Sequence, residues 1–173
     1  QLLREGGVEV LHYTLPEIDT FYESYRYWLK TKTPWVTAKI AQTLDGKIAG
    51  PNGHHVSLSN DSCSKYTHKM RLHADVILTT ARTVNSDDPL FNVRLPDCQA
   101  KKHVAIIDSN LKLNEKARVF SSAKHCHIFY DERCPEPPSK ENRTYYAMPI
   151  REYGMDLTCV IKQLGILGFH DVW

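Results

Sequence analysis

The chain has 173 residues, a net charge of +2 with histidines neutral, and 42% hydrophobic against 24% charged residues. That length is about one domain and buries a core without metal or disulfide staples. The near-balanced charge argues against nucleic acid or an anionic membrane as the main partner, and no apolar run approaches the roughly 20 residues of a membrane span.

Residues 8–13, Val-Glu-Val-Leu-His-Tyr, read as a short strand. Thr14-Leu-Pro-Glu17 has the form of a capping box with proline in the first turn, and Ile18, Phe21, Tyr22, Tyr25 and Trp28 keep helical spacing over 15–29. Lys30 to Pro34 is a polar break, so residues 1–33 are separated from a main domain at 34–173. Residues 35–41 alternate as a strand, with Trp35, Thr37, Lys39 and Ala41 on one face. Asp45-Gly46 and Pro51-Asn52-Gly53 are turn signals. A helix over 61–73 carries Cys63, Tyr66, Thr67 and Met70 on one face, with Ser59 or Asn60 as its cap.

Residues 75–80 form a strand of the buried type, and 103–108, 127–130 and 144–148 form further strands. A helix over 156–167 repeats Leu157, Val160, Ile161 and Leu164 and ends at Gly168, after which Phe169 to Trp173 begins another strand. Strands alternating with helices indicate an α/β fold with a largely parallel sheet. Both ends of the chain, at Gln1 and at Trp173, are expected to be cut.

Five cysteines (Cys63, Cys98, Cys126, Cys134 and Cys159) form no CxxC pair. Odd in number and widely spaced, they read as reduced thiols of a cytoplasmic protein. A zinc site would draw on His125, Cys126, His127 and Cys134, but the alternation from His125 to Tyr130 suits a strand, and no metal is expected. No nucleophile elbow, HExxH, deaminase zinc signature or GxGxxG occurs.

Three stretches can carry chemistry. Lys39, inside an apolar strand, either reaches a cleft lined by small residues or snorkels from a sheet edge. Thr79 to Pro89 follows a buried strand, where α/β proteins bind ligands and where a short helix meets a phosphate at its positive end. The same stretch also reads as a capped connecting helix followed by an Asp-Pro turn. Arg71 and Arg94 can converge on a phosphate bidentately, or stand singly on the surface.

Together Pro34-Trp35-Val36, Lys39, Leu44-Asp45-Gly46-Lys47-Ile48-Ala49, Arg71, Ile77-Leu78-Thr79 to Thr83-Val84, Asp87-Asp88-Pro89, Val93-Arg94 and Ile107-Asp108-Ser109 resemble the reductase domain of the bifunctional riboflavin-biosynthesis deaminase-reductase. The resemblance covers residues 34–173, and residues 1–33 resemble the connector from an upstream deaminase domain. It implies a dihydrofolate-reductase-like three-layer α/β/α fold with a central mixed, mostly parallel sheet. It implies NADPH as hydride donor and 5-amino-6-(5-phosphoribosylamino)uracil as substrate, whose ribosyl group is reduced to an open ribityl chain. Carried over by position, Ala41, Ser57, Thr83, Asp87 and Ser109 fall at the NADP site. His55, Arg71, Phe91 and Arg94 fall at the substrate, Lys39 near the reacting carbon, and Asp45 in a loop-shaping role. A homo-oligomer, dimer or higher, is also implied.

Two departures stand out. His55 replaces a serine expected at the substrate, and Ser57 a tryptophan expected at the cofactor. The family also continues beyond Trp173 into a Glu- and Gly-rich loop contacting substrate and cofactor phosphates, so the domain is expected to be C-terminally incomplete. These departures motivate two other readings: a paralogous NADPH reductase of another pyrimidine or pterin, or a non-catalytic nucleotide-binding homologue.

Overall fold

Three runs rich in β-branched and apolar residues, bounded by polar turns, build the centre of the molecule. The structure is a computed structural model, and it describes residues 1–11, 13–54 and 56–173. In chain order its elements are α1 (Leu2–Glu5), α2 (Pro16–Phe21), α3 (Glu23–Thr31), β1 (Trp35–Val36), α4 (Asp61–His73), β2 (Val76–Thr80), α5 (Ala81–Asp87), β3 (Val93–Leu95), β4 (Cys98–Ala100) and β5 (His103–Ile107). There follow α6 (Val119–Ser122), β6 (His125–Asp131), β7 (Arg143–Met148), β8 (Ile150–Arg151), β9 (Gly154–Met155), α7 (Leu157–Ile166) and β10 (Asp171–Val172).

Six strands form one sheet in the order β1-β10-β2-β5-β6-β7, and every pair in it is parallel. The antiparallel pairs, β3 with β4 and β8 with β9, are two small separate ribbons. Because successive side chains point to opposite faces, the central strands feed two cores. Ile77, Val104, Ile106 and Cys126 pack with Ala81 and Val84 of α5 and with Val119 of α6 on one side. Val76, Ala105, Phe129 and Val172 pack with Val160 and Leu164 of α7 on the other. Helices on both faces of a parallel sheet complete the three-layer α/β/α arrangement expected.

Residues 1–33 are tied to this body through α3. The Trp28 indole N–H donates to the Gly165 carbonyl at 3.2 Å, and the Trp28 ring lies 4.4 Å from that of His170. Gly165, in α7, has no room for a side chain: a Cβ there would stand 2.3 Å from the Lys32 carbonyl oxygen. Gly165→Ala is therefore expected to destabilise the protein by about 1–3 kcal/mol, the range for overpacking a close contact. Urea unfolding would show it as a lowered midpoint, and an unchanged midpoint would mean that the segment before Pro34 lifts away freely.

The structure departs from the sequence expectations in several places. The expected strand at 8–13 has no ladder among its described residues: Val8, Leu11 and Tyr13 are exposed, and His12 lies outside the described residues. The single helix expected over 15–29 is two helices divided at Tyr22. Its second half packs through Tyr25 and Trp28 on His170, whereas Phe21 in the first half stays exposed. Leu15, not Thr14, caps α2, and no side chain bonds there. Of the strand expected over 35–41, Trp35 and Val36 are in the ladder, paired with Asp171 and Val172 of β10. Helix 61–73 has the expected bounds, capped by Asn60 accepting the Cys63 N–H at 2.9 Å, but its inward face is different. Cys63 and Tyr66 are exposed, and His68 is the buried residue. Gly168, at φ +87°, follows the last turn of α7 as expected.

Candidate active site

Parallel strands deliver all their carboxyl ends to one edge, and loops leaving that edge line ligand sites in open α/β sheets. Here a cleft of about 670 Å³ opens at this edge around β1, β10 and β2. Its walls include Lys39, Arg71 of α4, Thr83 and Asp87 of α5, Phe91 and Trp173. Five of the residues singled out from the sequence thus meet in one place.

The β2–α5 junction is built by its own side chains. Thr80 caps α5, its hydroxyl accepting the Thr83 N–H at 3.3 Å. The Asp87-Asp88 pair then divides. Asp87 lines the cleft. Asp88 turns away to Arg118, accepting its backbone N–H and its Nε–H, each at 2.8 Å. Asp88 and Phe91 both adopt positive φ, 42° and 50°. For residues with a Cβ this left-handed backbone costs on the order of 1–3 kcal/mol, and such strain clusters at ligand sites. The turn places Phe91 against Arg71.

Arg71 is the electrostatic focus of the cleft. Its guanidinium carbon lies 5.6 Å from the Phe91 ring centroid and 5.3 Å from that of Trp173. Both rings attract a cation, yet its Nε is buried without a hydrogen-bond partner among the described residues. Burial, and secondarily the charge of Arg94, push its pKa down to about 10. Among the described residues neither arginine forms a salt bridge. The two cations thus sit close enough for the charge of Arg94 to act on Arg71.

The remaining candidates lie off this cleft wall. Arg94 is exposed on β3 and donates to the Asn92 side-chain oxygen at 2.5 Å. Ser109 sits just past the end of β5, its carbonyl accepting the Asp131 N–H at 3.2 Å, so it stands on the same carboxyl edge as Thr83. Ala41 is half-buried in the segment after β1. Ser57 is exposed and its hydroxyl donates to the Ser59 carbonyl. His55 lies outside the described residues. The turn at Leu44-Asp45-Gly46 closes on itself: Asp45 accepts from the Thr43 hydroxyl at 2.5 Å, and Gly46 sits at φ +77°. This matches the loop-shaping part expected of Asp45.

Two contributors escaped the sequence reading. Trp173 flanks Arg71, and His68, buried one turn before Arg71, accepts the Arg94 backbone N–H on Nδ1 at 3.2 Å. The i, i+3 spacing of His68 and Arg71 was the available signal.

Cleft, edge and layers together define an α/β domain of the dihydrofolate-reductase type. Residues 34–173 match the RibD C-terminal domain, and the chain belongs to that family, the reductase domain of riboflavin biosynthesis. The riboflavin biosynthesis protein RibD of Actinobacillus pleuropneumoniae is 33% identical over 124 residues, which are 70% of this chain and 32% of that protein. That of Bacillus amyloliquefaciens is 30% identical over 172 residues, 99% of this chain and 46% of that protein. The chain thus spans less than half the length of these relatives. A Thermotoga maritima diaminohydroxyphosphoribosylaminopyrimidine deaminase/5-amino-6-(5-phosphoribosylamino)uracil reductase superposes with TM-score 0.82 at 26% identity, over 99% of this chain and 47% of that one. The riboflavin biosynthesis reductase Rib7 of Saccharomyces cerevisiae shares the fold, with TM-score 0.66 at 20% identity over 90% of this chain and 70% of that one.

Proposed function

We propose that this domain reduces the ribosyl group of 5-amino-6-(5-phosphoribosylamino)uracil to the ribitylamino product, with NADPH as hydride donor. The observation that carries the reading is the convergence of Lys39, Arg71, Thr83, Asp87 and Phe91 on one cleft in a chain of the RibD C-terminal family. A buried, unpartnered Arg71 Nε fits an anionic phosphoribosyl substrate. Polar Thr83 and Asp87 beside the strand ends, with Ser109 on the neighbouring strand's exit, suit a dinucleotide laid along the carboxyl edge. When bound, NADPH supplies the hydride that reduces the anomeric carbon of the ring-opened sugar.

The chain's own residues then bind and orient. Arg71 and Arg94 hold the ribose phosphate, and the Phe91 and Trp173 rings keep the Arg71 guanidinium in place. Lys39 offers N–H donors to the oxygen released as the ribose ring opens. Ala41 and Ser57 belong to the cofactor side and His55 to the substrate side. We assign residues 1–33 to the connector from an upstream deaminase domain, and the protein to a cytoplasmic homo-oligomer. In the membrane respect, no helix among the described residues is long and apolar enough to cross a bilayer.

Turnover of the deaminated pyrimidine, followed at the NADPH absorbance band, tests the activity in the full-length protein. Arg94→Ala is expected to raise the KM for that substrate about tenfold, the cost of one charge-assisted contact, and to leave the KM for NADPH within twofold. Equal losses for both ligands would make Arg94 a structural residue and remove half of the anion site.

A further inference from the structure

Arg94 is not fixed by its own strand partner alone. β3 pairs only with β4, Arg94 standing opposite Gln99, so one edge of β3 faces α4. The Arg94 backbone N–H emerges from that edge, where the β3–β4 ladder gives it no partner. The His68 Nδ1 accepts it at 3.2 Å. His68 is itself 7% exposed, and it sits one helical turn before Arg71 on the same inward face. One imidazole therefore links the element carrying Arg71 to the element carrying Arg94.

We infer that His68 is the positioning residue of the anion site: as the neutral Nε2–H tautomer it docks β3 on α4 and so sets Arg94 beside Arg71. This inference rests on the reading that the two arginines hold the substrate phosphate. Nδ1 accepts only while unprotonated, and a protonated imidazole would add a third cation to the pair. The groups facing His68 agree with this. Burial first, then Arg71 on its own helix and Arg94 from β3, hold its pKa below the ordinary histidine value, and the Asn92 backbone alone opposes them. The role differs from that of a core histidine, because its hydrogen bond goes to the backbone of a site residue and its neighbours are both site cations.

His68→Leu keeps the bulk and removes the acceptor. His68→Asn restores an acceptor oxygen close to the Nδ1 position. In the full-length protein, His68→Leu is expected to raise the KM for the phosphoribosylamino-pyrimidine on the order of tenfold, since a buried N–H is left unpaired. The kcat and the KM for NADPH should stay within about twofold, and His68→Asn should recover most of the loss. Arg94→Ala, measured alongside, separates the two layers. If Arg94→Ala raises the substrate KM and His68→Leu does not, the positioning role is overturned while the anion site stands. If Arg94→Ala leaves that KM unchanged, the site reading fails and this inference with it. Parallel losses of kcat and of both KM values, unrescued by His68→Asn, would reduce His68 to a core residue. Should His68→Leu not fold, His68→Gln, which displaces the acceptor, takes its place with the same expected split.

Discussion

Arg71→Met is expected to lower kcat/KM for the phosphoribosylamino-pyrimidine on the order of a hundred- to a thousand-fold, while leaving the protein at least as stable to heat. The two halves of the result have one cause. A guanidinium lying over both the Phe91 and Trp173 rings, with Nε buried and unpartnered among the described residues, is desolvated without a compensating anion in the free protein. Its pKa, pushed down to about 10, expresses the same cost. Replacing a buried charge by an apolar side chain of similar length is often neutral or stabilising. Substrate binding, by contrast, loses a desolvated charge-assisted contact, of the kind worth about 2–5 kcal/mol. Arg71→Lys should be nearly as damaging, because a point charge cannot match the planar fork or stack on both rings. Steady-state kinetics and a thermal melt decide the matter. A kcat/KM within tenfold of the parent, or a marked fall in Tm, would show Arg71 to be a scaffold residue.

The pairing of strain and unpaired charge at one cleft also explains what the sequence made legible. The strands at 76–80, 103–107 and 125–131 are buried on both faces, so their apolar runs announce them. Asn60 as a cap and Gly168 beyond α7 follow from local chemistry that tertiary structure left alone. The face of α4 was misread for a functional reason. Apolar counting selects Cys63, Tyr66, Thr67 and Met70, of which Thr67 and Met70 are half-buried, but the buried residue is His68, and Arg71 one turn later lines the cleft. The β3–β4 ribbon, three residues a strand around Pro96-Asp97, is too short for periodicity to register, and with it went the link from Arg94 to His68. Asp87 and Asp88 are adjacent and chemically alike in sequence. Only the left-handed turn at Asp88 decides that one lines the cleft and the other clamps Arg118.

Far from the cleft, at the amino ends of β5 and β6, a chain of rings is expected to make the fold acid-sensitive. His103 Nδ1 and His127 Nε2 are 3.1 Å apart, and His127 Nδ1 is 3.1 Å from the Tyr146 hydroxyl. Both nitrogens of His127 are thus engaged with neutral partners, and His125 and Phe169 close over it. Burial first, then the charges of His125 and His103, lower its pKa from 6.5 to about 4. His103 is shifted the same way by burial and by Lys124. A histidine whose folded pKa is depressed stabilises the fold only while it is neutral. Its contribution is complete above about pH 6.5, where the unfolded chain is also unprotonated, and falls with acidity until the folded form titrates near pH 4. From His127 alone the loss over that window amounts to about 3 kcal/mol. Urea midpoints measured between pH 7.5 and 4 should therefore decline, and His127→Phe should flatten the decline even though it leaves His103 and Tyr146 short of a partner and lowers the neutral-pH midpoint. The diagnostic quantity is the slope with pH rather than the absolute stability. Equal slopes for parent and variant would move the acid sensitivity away from this chain of rings.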